Sequence, residues 1–265
     1  MNNNLFLLLT LAIFCVSCKN EKKSFTTTTE AVESPWLLGF EKTDINPIMQ
    51  ADSSYTFLDP ISKKEVQWQK ADVFNPGAIV KNDTVFLLFR AEDNPKAILG
   101  HRTSRIGLAY SVDGINFTKH PTPVLFPDND EFSQYDQPGG IEDPRIIETP
   151  DGTYISHLTE PGPPALYTEH GILLLYNGKN LSGEGATSKF PEGTYCGGQA
   201  LFDKNDPTKL IKRLDTPFIC PSLPHEISGQ YKAGTTFIEG LVYFNDKWFL
   251  YYGTADSMVG LAVKE

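Results

Sequence analysis

Gly240-Leu241-Val242-Tyr243-Phe244 and Trp248-Phe249-Leu250-Tyr251-Tyr252, joined across Asn245-Asp246, read as an apolar strand, a polar turn and a second strand rich in aromatic and aliphatic residues. Three more stretches repeat the pattern. Gly77 to Val80 faces Val85 to Phe89 across Asn82-Asp83, Arg145-Ile146-Ile147 faces Tyr154 to His157 across Asp151-Gly152, and Ala165-Leu166-Tyr167 faces Ile172 to Tyr176 across His170-Gly171. Each turn carries the Asn, Asp, His or Gly that a hairpin needs. Long amphipathic helical stretches are absent, and 21 glycines with 19 prolines punctuate the chain too often for helices of ordinary length. The chain therefore reads as all-β. Further strands at Ile106 to Ser111 and Val259 to Val263 suggest propeller blades of about four strands, with a sandwich as the alternative. The turns fall at 82, 151, 170 and 245, and the interval from 151 to 170 is too short for a blade of about 40 to 50 residues. The spacing predicts that part of the blade pattern is missing near residues 158–161.

Composition narrows the class of partner. The 265 residues are 40% hydrophobic and 12% aromatic, ample for one large core or two small ones. A net charge of -10 without a basic cluster gives no electrostatic footprint for nucleic acid, and a neutral or polar small substrate fits better. No Gly-rich phosphate loop and no His-x-x-x-His is present, so no metal or nucleotide cofactor is expected.

Leu5 to Val16 has the length of a signal-peptide core and is too short to span a bilayer as a helix. Cys15-Val16-Ser17-Cys18 resembles the lipobox of bacterial lipoproteins, which implies cleavage before Cys18 and a lipid on its sulfur; Met1-Asn2-Asn3-Asn4 lacks the usual Lys or Arg. The expected organisation is a signal peptide over 1–17, a flexible tether over 18–35 and one β-propeller domain over 36–265, exported and held to a bacterial membrane through the lipid alone. The two remaining cysteines, Cys196 and Cys220, lack zinc-ligand spacing. A disulfide and two buried thiols are equally open readings.

Gly139-Gly140-Ile141-Glu142-Asp143-Pro144-Arg145 is written as an active-site loop. Pro144 removes a backbone donor and biases Asp143 toward an extended conformation, and the glycine pair permits close backbone approach to a ligand. Glu142 and Asp143 should point in different directions, one into a pocket and the other held by Arg145 or by backbone donors, which separates their pKa values. An ordinary surface turn with a salt bridge is the alternative.

Five stretches in order carry a family resemblance: Asn75-Pro76-Gly77-Ala78, Phe89-Arg90-Ala91, Ser104 to Ala109 followed by Ser111-Val112-Asp113-Gly114, Gly140 to Arg145, and Tyr252 to Asp256. From about Asn75 onward the chain resembles glycoside hydrolase family 130, the mannoside phosphorylases and related mannosidases, which form five-bladed β-propellers. The resemblance implies inverting attack on a β-mannoside, with Asp143 of the Asp-Pro-Arg motif supplying the proton to the departing oxygen. Inversion needs an acceptor on the opposite face, either phosphate or a water activated by a second carboxylate. The family's phosphate-binding basic residues lie partly in the missing region. Glu239 is the candidate base for water, with a solvated strand-end carboxylate as the alternative. For the sugar the candidates are Asn75, Arg90, Arg105 and Asp256, joined by Glu142 and Arg145 of the loop. Arg105 could equally hold Asp113 or Glu142. The scattered His101, His120, His157, His170 and His225 default to structural or surface roles, with His225 beside Glu226 the one worth testing for a phosphate contact.

Three functions remain open at this level: a glycosidase cleaving mannosides of glycans or oligosaccharides with water, a phosphorylase using inorganic phosphate as co-substrate and releasing mannose 1-phosphate, and a shortened propeller that binds mannose-containing oligosaccharide without turning it over. A missing blade exposes strand edges that another copy of the chain could cover.

Overall fold

Asn82-Asp83 and Asn245-Asp246 all take positive φ, between 47° and 62°, as the two central residues of a type I′ turn must. Their strands are accordingly joined two residues apart. In the computed structural model, which describes residues 34–97, 101–131, 133–148, 154–156, 162–180 and 187–265, nearly every regular element is an antiparallel strand. The chain starts with β1 (Glu41–Lys42) and a short hairpin of β2 (Phe57–Leu58) and β3 (Glu65–Val66). A four-stranded sheet follows in sequence order, β4 (Asp72–Lys81), β5 (Thr84–Glu92), β6 (Ser104–Ser111) and β7 (Thr118–Lys119). Next come a two-stranded sheet, β8 (Ile146–Glu148) with β9 (Tyr154–Ser156), and a second four-stranded sheet, β10 (Leu166–Thr168), β11 (Gly171–Lys179), β12 (Tyr195–Phe202) and β13 (Leu210–Arg213). The last sheet contains β14 (Thr236–Phe244), β15 (Lys247–Thr254) and β16 (Met258–Lys264), and β1 completes it beside β16. All four hairpins expected from the sequence are present.

Sequential four-stranded sheets are the unit of a propeller, and this is the shortened propeller type that the strand spacing implied. Only two strands form the sheet between Ile146 and Ser156 among the described residues. The turn at 151–152, His157 and the break expected at 158–161 lie outside the described residues, as do the leader, Cys18 and the tether up to residue 33.

The last sheet holds the molecule together because it is buried on both faces. Along β15 the side chains alternate with the two-residue period of a strand. Phe249 and Tyr251 enter one core with Val85, Leu87 and Phe89 of the first sheet, while Leu250 and Tyr252 enter a second core with Leu173, Leu175 and Leu201 of the β10 to β13 sheet. Each fully buried Leu or Phe in such a core contributes about 1.5–3 kcal/mol.

The first residues of the fold are tied down by polar contacts. The buried Gln199 amide brackets Leu37, accepting from its N–H at 2.9 Å and donating to its carbonyl at 2.6 Å. On β1, Lys42 Nζ donates to Glu226 at 2.7 Å and to the Cys220 carbonyl at 2.8 Å. Glu226 is wholly buried and also accepts from Tyr252 Oη at 2.9 Å and from the backbone N–H groups of Ser222 and Leu223. The open choice for the cysteines resolves as a disulfide, Cys196 to Cys220, with Cα atoms 4.5 Å apart; it joins β12 to the segment that carries Glu226.

Removing one member of such a buried pair leaves a desolvated charge behind. Glu226→Ala is expected to lower the unfolding free energy by about 3–5 kcal/mol in urea titrations, and Lys42→Met combined with Glu226→Met by clearly less. Equal losses in the two variants would refute the ion pair as the source.

Candidate active site

Two β-bulges place the first site residues. Pairing of β4 with β5 jumps from Phe74↔Arg90 to Gly77↔Leu88, so that Asn75 and Pro76 together oppose the single residue Phe89. A proline cannot donate to a ladder, so a bulge suits it. Pairing of β14 with β15 jumps from Ile238↔Tyr252 to Gly240↔Tyr251, leaving Glu239 as the extra residue there. Gly77 lets the Asp-Pro-Arg loop close onto β4, since a Cβ at that position would sit 2.5 Å from the Pro144 carbonyl oxygen. Gly253 performs the same service for Asn75, whose amide oxygen occupies the space a Cβ would need.

Asp143 lies at the centre in the left-handed region, φ 46°, and not in the extended conformation expected before Pro144, since Asp tolerates this region where its side chain is held. Its Oδ1 accepts from Asn75 Nδ2 at 2.8 Å and from Arg90 Nη1 at 3.2 Å. The Arg90 guanidinium stacks over the Phe74 ring at 4.8 Å and donates from Nη2 to Glu92 at 2.7 Å and to Glu142 at 2.8 Å. Ser104 Oγ accepts from Arg90 Nε at 3.1 Å. The expected division, with one acid facing a pocket and the other held by Arg145 or backbone donors, is not found: the Glu142 and Asp143 carboxylates both meet Arg90. Arg145 is turned inward, donating from Nη1 to the Asp143 carbonyl at 3.0 Å and lying 2.7 Å from Glu239 Oε1.

Two adjoining cavities open around this cluster. The larger, about 580 Å³, is walled by Arg102, Thr103, Pro138, Glu142 and Gln230. The smaller, about 170 Å³, is walled by Asn75, Asp143, Tyr195, Tyr231 and Phe237. Phe74, Arg90 and Asp256 belong to both. Four carboxylates, Glu92, Glu142, Asp143 and Asp256, line the pair against two guanidinia, Arg90 and Arg102. Both guanidinia are already engaged, Arg102 with Asp72 and Glu92.

Burial raises two of these acids, Asp256 and Glu142. Burial pushes Asp256 up to about 6, with Arg90 opposing and the charges of Asp143, Glu92 and Asp72 adding. Glu142 is raised by burial, which Arg90 partly offsets. Glu239 has no exposed surface, and burial lifts it well above the ordinary carboxylate range against the pull of Arg145.

The structure gathers Asn75, Arg90, Glu142, Asp143 and Asp256 at one place. Three expected residues lie elsewhere. Arg105 is a structural residue, pairing with Asp59 and Asp93 at 2.8 Å each and packing over Phe57. It makes neither of the pairs expected, with Asp113 or Glu142, because Ser104 faces Arg90 and the next residue of a strand takes the opposite face. Asp113 instead accepts from Ser111 Oγ and the N–H groups of Ile115 and Asn116 to close its turn. Arg145 and Glu239 are buried beneath the small cavity's aromatic side, with Arg145 5.9 Å from the Phe237 ring centre, and line neither cavity. Glu239 is therefore not a solvated strand-end acid. His225 is partly buried beside Glu226, and it is His101 that lines the large cavity. The residues missed from the sequence are Phe74, Glu92, Arg102, Gln230 and the aromatic trio Tyr195, Tyr231 and Phe237. Only Phe74 carried a signal, its place directly before Asn75.

A family model described as beta-1,4-mannooligosaccharide phosphorylase matches residues 40–160 and 156–265. The two matches meet where strand spacing places the missing blade, and the chain is shorter than its full-length relatives. The beta-1,2-mannobiose phosphorylase of Thermoanaerobacter sp. (strain X514) is 27% identical over 308 residues, covering 80% of this chain and 96% of that protein. Among solved structures, a glycosyl hydrolase from Bacteroides ovatus has a TM-score of 0.80 at 33% identity, covering 87% of this chain and 94% of that one. Another is described with the finding that the GH130 family of mannoside phosphorylases contains glycoside hydrolases that target beta-1,2 mannosidic linkages in Candida mannan; its TM-score is 0.81 at 32% identity, over 88% of this chain and 95% of that one.

The raised Asp256 sets a pH dependence. A carboxyl that holds its proton more tightly in the fold than in the unfolded chain adds no cost below about pH 4 and its full cost above about pH 6. Two units correspond to roughly 3 kcal/mol as an upper figure. Asp256→Asn, which suits the same left-handed backbone, φ 53°, is thus expected to match the wild type in stability near pH 4 and to exceed it at pH 7.5. Thermal unfolding at the two pH values checks this, and a gap that shrinks as pH rises would overturn it.

Proposed function

The chain belongs to glycoside hydrolase family 130, and on that premise we propose that it hydrolyses β-mannosides with inversion, Asp143 giving its proton to the departing oxygen. The observation that favours water over phosphate is the charge of the cavities. A phosphate dianion would enter a space lined by four carboxylates, where both guanidinia are already ion-paired. Water meets no such repulsion.

The proton of the attacking water goes to Glu239 in this reading, passed through one bridging water because Glu239 is buried beneath the small cavity and lines neither space. Neither of its carboxylate oxygens accepts a hydrogen bond of good geometry, although Arg145 lies close to one of them. A buried acceptor in that condition is one a water would satisfy. Burial makes the Glu239 carboxylate a stronger base than an exposed one, and Arg145 favours its ionised form. Attack from the face opposite Asp143 breaks the bond from the sugar's anomeric carbon to the departing oxygen and forms a new one to water, leaving mannose of inverted configuration.

β-1,2-Linked manno-oligosaccharides are the first substrates to try, since the named relatives act on that linkage. The site of action in this reading is outside the cytoplasm, with the lipid of Cys18 as the anchor. The Cys196–Cys220 disulfide fits an oxidising compartment.

With β-1,2-mannobiose, free mannose is expected whether or not phosphate is present; mannose 1-phosphate as the product would sink hydrolysis. Asp143→Asn should lower the rate by about 10²–10⁴-fold, and an aryl β-mannoside with a good leaving group should recover much of that loss. Glu239→Gln should lose as much, with no recovery on the aryl substrate. An unchanged rate in Glu239→Gln would exclude it as the base.

A further inference from the structure

The boundary between the two cavities is drawn by two pairs of consecutive residues. Glu142 lines the large cavity and Asp143 the small one; Gln230 lines the large cavity and Tyr231 the small one. Each pair thus straddles the line where Phe74, Arg90 and Asp256 are shared. If Asp143 protonates the departing oxygen, the bond that breaks lies over this line. The sugar released sits in the cavity beside Asp143, and the leaving part extends into the larger one.

The second pair is held as firmly as the first. Gln230 N–H donates to Ser257 Oγ at 3.2 Å and Tyr231 N–H to the Ala255 carbonyl at 3.1 Å. Gln230 Nε2 donates to the Asp256 carbonyl at 2.8 Å and to the Asp72 and Glu92 carboxylates at 3.2 Å each, which ties the pair to the backbone of a residue common to both cavities and to the acids behind it. The Tyr231 ring meets that of Tyr195 edge-on, with centroids 5.6 Å apart, so the small cavity receives a fixed aromatic wall. Such a wall suits the apolar face of a sugar ring, while Gln230, held by the acids and the Asp256 carbonyl, gives the large cavity a fixed polar wall on the other side.

We propose that Gln230-Tyr231 is the specificity-determining pair of this site, Tyr231 contacting the sugar beside Asp143 and Gln230 contacting the leaving side. The inference rests on the hydrolytic reading for its assignment of sides. The test compares KM values for 4-nitrophenyl β-mannoside, whose leaving group is not a sugar, and for β-1,2-mannotriose. Gln230→Ala should raise the ratio of the mannotriose KM to the aryl mannoside KM by about tenfold, the effect of one lost pocket contact. Tyr231→Leu should raise both KM values and leave their ratio at the wild-type figure. A purely structural role for Gln230 would move both substrates together, and that outcome overturns the proposal, as does a changed ratio in Tyr231→Leu. If Gln230→Ala does not fold, Gln230→Met keeps the length and removes the amide, and the same ratio is read.

Wild-type enzyme that turns over neither substrate would defeat the hydrolytic reading alone. The pair is then read by calorimetry with mannose and β-1,2-mannobiose. Tyr231→Leu should weaken both ligands, and Gln230→Ala should weaken the disaccharide more than the monosaccharide. Equal weakening of both ligands by Gln230→Ala would again overturn the proposal.

Discussion

One guanidinium sets the terms for the rest of the site. Arg90 stands on β5 over the Phe74 ring and faces the carboxylates of Glu92, Glu142 and Asp143 at 2.7, 2.8 and 3.2 Å. Three acids this close would repel one another strongly in a partly buried setting, and none could stay ionised beside the others without a cation between them. Arginine suits the position because its planar fork offers five donors and it does not lose its proton. Through it the first sheet, which supplies Phe74, Arg90, Glu92 and Ser104, is coupled to the Asp-Pro-Arg loop. Burial outweighs the pull of Arg90 at Asp256 and Glu142, and with the neighbouring carboxylates adding to it both are raised rather than lowered.

The backbone around this cluster is held in uncommon conformations. Asn75, Asp143 and Asp256 have φ of 49°, 46° and 53°, and Ala255 has 46°. Asn and Asp tolerate that region, but for Ala it costs about 1–2 kcal/mol. Such strain persists only where surrounding packing over-determines the fold. Here the source is the last sheet, whose two buried faces fix Gly253 to Ala255 and Asn75 against each other. The bulges at Asn75 and Glu239 belong to the same device. Each turns a side chain out of its ladder without breaking the strand that carries it.

What could be read from the sequence follows from how local each signal is. A hairpin is written in adjacent residues, so Asn82-Asp83 and Asn245-Asp246 named their turns and with them the strands on either side. The Asp-Pro-Arg loop and Asn75-Pro76-Gly77 were equally legible, because proline and glycine restrict the backbone wherever they occur. Arg105 shows the limit. Its neighbour in the chain faces the site, and nothing local says which of two consecutive strand residues points inward. The acidity of Glu239 was legible, but its burial depends on β14 packing against β4 and on Arg145 folding back beneath Asp143. Gln230 and Tyr231 left no trace, since their loop has no periodicity and its position is set by Ser257, Ala255 and Asp256, far away in the chain. The cysteine pairing is likewise a fact of three-dimensional proximity.

The shortened middle of the chain bears on the site less than its size suggests. Asn75, Arg90 and Glu92 come from the first sheet, Glu239 and Asp256 from the last, and Glu142 with Asp143 from the loop before β8. The interrupted sheet of β8 and β9 begins only after that loop, and of the residues that line the small cavity only Tyr195 comes from the β10 to β13 sheet. Asn75, Arg90, Glu92, Glu239 and Asp256 therefore rest on two sheets that share a common core, and Arg90 ties the Asp143 loop to them. A missing blade takes away wall rather than centre. Water needs no wall to hold it, whereas a phosphate dianion needs cations placed around it. Carboxylates around the cavities are the feature on which the proposed preference for water over phosphate rests.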